Sequence, residues 1–204
     1  LLEVIARSEK ILPYIDMPLQ HAENVMLKRM SRRVTADLAE KQIQRMRELI
    51  PNLVLRTTFI TGFPGETEAQ FQELIDFTKR HHFERMGVFT YSHEPDTPAA
   101  RMDGHLSDEI KEDRRSRLMA VQQQIMFEYN ESCVGKIMDV IIDQPVPDQP
   151  GAWIGRSFGD APDVDAVVFV TQTEAELYPG ALVPCEIVTF QNYDLIAVAV
   201  GEPK

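Results

Sequence analysis

Cysteine is nearly absent from this chain, with two in 204 residues. Cys133 and Cys185 stand far apart with no CxxC spacing, so neither a disulfide framework nor a metal-cluster motif can be built from them. Both read as buried thiols. No run approaches the eighteen or so apolar residues of a membrane span, and the first residues lack the basic, apolar and small-residue order of a signal peptide. The expected location is the cytoplasm. No Walker loop, dinucleotide fingerprint or Ser-His-Asp arrangement is visible. The histidines lack metal-ligand spacing: His81, His82 and His93 read as solvated, and His21 stands out only by its place at a strand end. The chain opens on Leu1 rather than Met, and Leu1 to Glu9 reads as the tail of a helix, so something is expected to precede it.

What is present is a core-forming 44% of hydrophobic residues and an uneven charge of −11. The segment from Cys133 to Lys204 holds three basic and eleven acidic residues. Such a surface repels phosphate backbones and attracts basic partners, which makes nucleic acid an unlikely ligand for this end; ordinary solubility charge is the plainer alternative.

Up to about Ser92 short apolar segments alternate with amphipathic ones, the pattern of parallel strands joined by helices. Strands are expected at Ile11–Gln20, Leu53–Thr61 and Arg85–Tyr91. Helices are expected at Asn24–Met30, at Ala36–Ile50 with Thr35 as N-cap, and after Thr67, where Thr67 to Gln70 has capping-box form. Phe71, Leu74, Ile75 and Thr78 give that helix an inner face. The longest helix, Ser107 to about Ser132, carries Ile110, Leu118, Val121 and Ile125 as its apolar stripe. Beyond Gly135 five short strands (Lys136–Asp143, Ala152–Arg156, Asp165–Thr171, Ala181–Phe190 and Tyr193–Val200) suggest a small antiparallel barrel. The fold class is thus α/β followed by a β-barrel, with domains 1–133 and 134–204.

Alternation divides the second strand into a helix-facing set, Leu55, Thr57 and Phe59, and an opposite set, Arg56, Thr58 and Ile60. The first strand divides alike, with Asp16, Pro18 and Gln20 opposite Ile15, Met17 and Leu19. Arg56 and Asp16 therefore either line a ligand cavity or form a structural pair across two strands. The rim of such a cavity would be the C-terminal strand ends, at Gln20, His21 and the turn Gly62 to Glu66. Glycines flanking a proline make a tight turn whether or not anything binds there.

Taken together, Pro18 to His21, Arg56 to Thr67, and Tyr91-Ser92 with Thr97 to Ala99 resemble the later strand regions of the TIM-like, open barrel in radical S-adenosylmethionine (radical SAM) methylthiotransferases. Gly155 to Asp165 resembles the start of the TRAM domain in the RimO branch, which modifies an aspartate of ribosomal protein S-twelve. The resemblance implies the C-terminal half of a radical-SAM barrel followed by a TRAM domain. It also implies S-adenosylmethionine as cofactor and two [4Fe–4S] clusters in the intact enzyme. Gln20, His21, Arg56, Thr58, Ile60, Gly62, Gly65, Glu66 and Tyr91 would contact the cofactor or face its cavity. Asp160, Asp163 and Asp165 would dock the basic substrate. The CxxxCxxC motif of the family is missing, so this segment is expected to hold neither cluster and to be inactive alone. Two alternatives remain open: the sister branch that modifies adenosine in transfer RNA, and a TRAM-type binding module without catalysis. Three parallel strands without the rest of a barrel would leave an open edge and an apolar lumen face, so dimerisation through that edge, a domain swap or local disorder near Leu1 to Tyr14 is expected.

Overall fold

Two proline rings decide how the first strand forms. In the computed structural model, which describes residues 1–204 except 173 and 175, Pro13 and Pro18 bracket a strand of three residues, β1 (Tyr14–Asp16). Neither proline can donate to a ladder, so the expected ten-residue strand is cut short. Pairing resumes at Gln20, whose N–H donates to Thr58 O at 2.8 Å and whose carbonyl accepts from Ile60 N–H at 2.8 Å. The central strand β2 (Val54–Thr61) lies between β1 and β3 (Arg85–Thr90), and both pairings are parallel.

Helices α1 (Leu2–Arg7), α2 (Asn24–Arg29), α3 (Ala36–Leu49) and α4 (Glu68–His81) accompany this sheet. Thr35 caps α3 through the Leu38 N–H, and Thr67 and Gln70 close the full capping box of α4. Leu55 and Phe59 of β2 pack with Ile43 of α3 and with Phe71, Leu74 and Phe77 of α4 in one buried cluster. The long helix α5 (Asp108–Cys133) departs from its expected stripe. Ile110 is 42% exposed, while Lys111, Arg114, Leu118, Gln122 and Ile125 are buried. The inner face carries charge in its first turns.

The chain divides into two compact units, 1–125 and 126–204, and the division falls inside α5. The second unit is a closed barrel of β4 (Ile137–Pro145), β5 (Ala152–Arg156), β6 (Val168–Thr171), β7 (Leu182–Gln191) and β8 (Asp194–Ala199), in the order β4-β5-β6-β8-β7. Alternate residues Val140, Ile142, Val168, Val170, Val183, Cys185, Ile187, Leu195 and Ala197 fill its core. The purely antiparallel barrel expected from the sequence is corrected at one seam: β6 and β8 run parallel. The β7–β8 hairpin, turning at Asn192, brings β8 back alongside β6. Turn residues specify neighbouring strands and carry no signal for that long-range pairing.

Candidate cofactor-binding wall and barrel groove

In parallel strands, residues in register project to the same face, so the ladder fixes what lines the uncovered side of the sheet. Asp16, Arg56 and Arg85 form one row, in which Asp16 is exposed, Arg56 half-buried and Arg85 buried; Thr58 and Gly87 form the next, and Ile60 and Phe89 the last. Arg56 Nε lies 3.5 Å from Asp16 Oδ2, so the cross-strand pair is formed. Thr58 and Ile60 are half-buried, and Phe89 is 62% exposed. Gly87 keeps the middle of this face low: a Cβ there would meet nothing closer than Phe89, at 3.4 Å. The opposite face is sealed, with Thr57 Oγ donating to Met17 O at 2.9 Å.

At the end of β2 the chain turns through Gly62 and Gly65, whose φ angles of +73° and +81° suit residues without a Cβ. The space a Cβ would fill is already occupied. Lys111 Cγ would clash with one at Gly62, and Arg29 Nη2 would lie 2.7 Å from one at Gly65. Arg29 also donates to Pro64 O at 3.0 Å.

Beneath the turn, Glu66 Oε2 accepts from Gly62 N–H at 2.8 Å and from Arg114 Nη1 at 2.6 Å. Its Oε1 meets His21 Nε2 at 3.0 Å, and its carbonyl accepts a second contact from Arg114 Nη1 at 3.0 Å. The Glu23 N–H can only donate, so His21 Nδ1 accepts it at 3.0 Å and Nε2 carries the proton given to Glu66. Glu68 extends the network to Arg114 and, at 2.6 Å, to Arg117, whose hydrogen bond holds the Glu68 carboxyl below its usual pKa. The side chains of His21 and Glu66 are fully buried. This corrects their expected place on the open cavity: they hold the turn from behind.

Tyr91, just past β3, packs edge-on against Phe63 at 5.2 Å, and Lys111 Nζ sits 5.6 Å from its ring centre. Tyr91 is buried and, among the described residues, its hydroxyl has no hydrogen-bond partner, which is unusual for a buried polar atom. Gln20 stands at the matching end of the first segment in the left-handed conformation, φ +72°. Of the nine expected residues, Gln20, Arg56, Thr58, Ile60 and Tyr91 thus remain candidates for direct contact. Gly62, Gly65, His21 and Glu66 build the turn. Lys111 and Arg114 lie on the inner face of α5, where the apolar stripe expected from the sequence has no place for a charged residue. Counting back from Leu118 in steps of four and three would have reached both. His81 also differs from expectation: it is largely buried, bonds Glu40 at 3.1 Å, and is held below the usual imidazole pKa by that burial.

The residues present do not fit an iron–sulfur cluster. Among the described residues no group of three or more potential ligands converges. Both cysteines are buried in the barrel unit, and burial, reinforced by the charge of Asp139, pushes the Cys185 thiol up to about 11, away from the thiolate a cluster needs. S-adenosylmethionine fits better. The low point at Gly87, the flanking Thr58 and Ile60, and the orphaned Tyr91 hydroxyl offer a mixed polar and apolar wall at the strand ends.

In the barrel, Asp160 is turned inward, and its Oδ2 accepts from Ser157 Oγ and, at 3.2 Å, from Ser157 N–H. That removes it from the expected docking set. Asp163 is exposed, and Asp165 is half-buried with Oδ2 accepting from Ala161 N–H at 2.9 Å. Both line a groove of about 370 Å³ with Asp143, Ile154 and Arg156, in which Arg156 pairs with Asp143 at 3.2 Å.

Residues 1–78 match the Radical SAM superfamily and residues 134–200 match the TRAM domain. Across 99% of its length the chain is 45% identical to a ribosomal protein uS12 methylthiotransferase RimO from a Synechococcus strain. Across 98% it is 43% identical to the protein of that name from Desulfitobacterium hafniense and 45% identical to that from Gloeothece citriformis. The chain belongs to the RimO branch of the radical SAM methylthiotransferases. It spans 42–45% of the length of these methylthiotransferases. The solved structure of coproporphyrinogen III oxidase (HemN) from Escherichia coli, a radical SAM enzyme, is similar at a TM-score of 0.51 and 14% identity, over 91% of this chain and 44% of that one. That likeness concerns the fold alone. The Radical SAM match takes in β1, β2 and the strand-end turn and ends before β3, and the TRAM match spans the closed barrel.

Proposed function

We propose that the whole protein methylthiolates the β-carbon of an aspartate in ribosomal protein uS12 by radical S-adenosylmethionine chemistry, in the cytoplasm. The observation that carries this reading is the 43–45% identity, across nearly the whole chain, to proteins of that name. When bound, S-adenosylmethionine supplies a deoxyadenosyl radical and a methyl group, with the electrons and sulfur handled by two clusters. The residues of this chain act as a wall for that cofactor. Thr58 and Ile60 border it along β2, Tyr91 offers its free hydroxyl, and Gln20 and the Arg56–Asp16 pair supply polar groups on the same face. The network through Glu66, His21 and Arg114 keeps the Gly62–Glu66 turn in place. The 204-residue chain alone is inactive, since cluster ligation needs thiolates it does not bring together.

The acidic barrel docks the basic substrate through the groove at Asp163 and Asp165. This charge also favours a protein substrate over transfer RNA, because an acidic face releases few counterions from a phosphate backbone. The exposed edges of β1 and β3 give a second copy of the isolated chain a place to pair.

Docking is tested by titrating the chain and its Asp163→Lys variant with purified uS12. Charge reversal is expected to weaken binding several-fold at low salt. Binding unchanged by D163K would overturn the docking role.

A further inference from the structure

The one stretch of this acidic chain that runs strongly positive is not accounted for by the cofactor wall. Residues 24–36 contain Lys28, Arg29, Arg32 and Arg33 and no acidic residue. Arg29 is spent on the Gly65 turn, donating to Pro64 O and to Asp103 O. Lys28, Arg32 and Arg33 are exposed, and none has an ion-pair partner among the described residues.

The segment is preformed. The Arg32 N–H returns to Leu27 O at 2.8 Å around Ser31 at φ +56°, and Asn24 Oδ1 accepts from Ala36 N–H at 2.8 Å, closing the loop on itself. A helix C-terminus favours the cations at 28 and 29, but Arg32 and Arg33 lie beyond α2. Like charges gathered this closely repel one another and add nothing to the stability of the turn. Local stability therefore does not explain the cluster, and the link through Arg29 places it beside the strand-end turn.

We propose that Lys28, Arg32 and Arg33 form a phosphate-binding edge that contacts RNA flanking the protein substrate. This rests on the proposed function, because a ribosomal protein can be met on its RNA, where three unpaired cations in a rigid turn find phosphates beside the target. The RNA is a docking surface here and not the group modified. The acidic charge that disfavours nucleic acid is concentrated in the barrel, whereas this edge lies in the sheet unit.

The test is fluorescence anisotropy of the chain with a labelled 20-nucleotide RNA hairpin across a salt series. Three phosphate contacts give a log–log salt slope of about −2 to −3, or roughly 20- to 40-fold weaker binding between 50 and 200 mM salt. Arg32→Glu with Arg33→Glu is expected to weaken binding at least tenfold and flatten the slope. Lys79→Glu with Lys136→Glu, an equal charge change at exposed sites elsewhere, is expected to change it less than twofold. Circular dichroism of each variant checks folding. The proposal is overturned if RNA does not bind at 50 mM salt, if both double variants lose affinity equally, or if the edge binds poly-glutamate but not RNA. Binding of uS12 to wild type and D163K, measured without RNA, reports separately on the proposed function.

Discussion

Replacing Glu66 by Gln isolates the contribution of the buried network to the strand-end turn. The glutamate oxygens receive three donors, from Gly62 N–H, His21 Nε2 and Arg114 Nη1. An amide keeps one acceptor oxygen and presents N–H groups where the other stood, so at least one donor faces a donor. It also leaves Arg114, whose side chain is 6% exposed, without its principal counter-charge. Breaking a buried pair in this way costs about 3–5 kcal/mol. The lower end applies here, because Glu68 still approaches Arg114 at 3.4 Å and the Glu66 carbonyl still accepts from it. About 3 kcal/mol is therefore expected for E66Q. The assay is urea unfolding followed by far-ultraviolet circular dichroism for the helices of the sheet unit. Trp153, the only tryptophan and a barrel residue, reports the second unit by fluorescence. The circular dichroism midpoint should fall while the Trp153 midpoint stays near wild type. Arg114→Met in the E66Q background removes the stranded charge and should recover part of the loss. A loss below about 1 kcal/mol for E66Q, or an equal shift in both probes, would refute the reasoning.

Gly62→Ala forces a Cβ against Lys111 and strains a φ of +73°, with an expected loss of about 1–3 kcal/mol in the same unfolding assay. Cys185 should resist thiol reagents at pH 8 in the native state and react only on unfolding. Because burial raises its pKa to about 11 from 9.0, its stabilisation is complete below about pH 9 and is lost as pH rises towards 11. A wild-type-minus-C185A difference in urea midpoint that stayed flat over that interval would contradict this. Burial lowers the pKa of His81, so the unfolded state takes up its proton first as pH falls. Stability from this site is present above about pH 6.5 and declines below it, and His81→Phe should lessen that decline in thermal melts.

The sequence carried the local structure well where one residue sufficed to specify it. Thr35 and Thr67 mark their helix starts, and two-residue alternation along β2 separates Leu55, Thr57 and Phe59 from Arg56, Thr58 and Ile60, as the burial of the strand bears out. It was weaker wherever partners come from distant segments. The parallel β6–β8 seam depends on the path of the intervening chain, and the inward turn of Asp160 depends on Ser157 offering its hydroxyl and N–H. The site followed the same division. Strand-end position marks Gln20 and Gly62 as rim candidates, and the family resemblance adds Tyr91. The burial of His21 and Glu66 follows from Arg114, 48 residues away from Glu66 in the chain. The inward placing of Lys111 and Arg114 is legible only once their carboxylate and aromatic partners are known, since unpaired cations are seldom buried.

The modified product is the most direct measure of the proposed activity. With the complete reading frame expressed in a host lacking this activity, mass spectrometry of ribosomal protein uS12 should show one added methylthio group, localised to an aspartate side chain. An unmodified uS12 together with a methylthiolated adenosine in transfer RNA would contradict it.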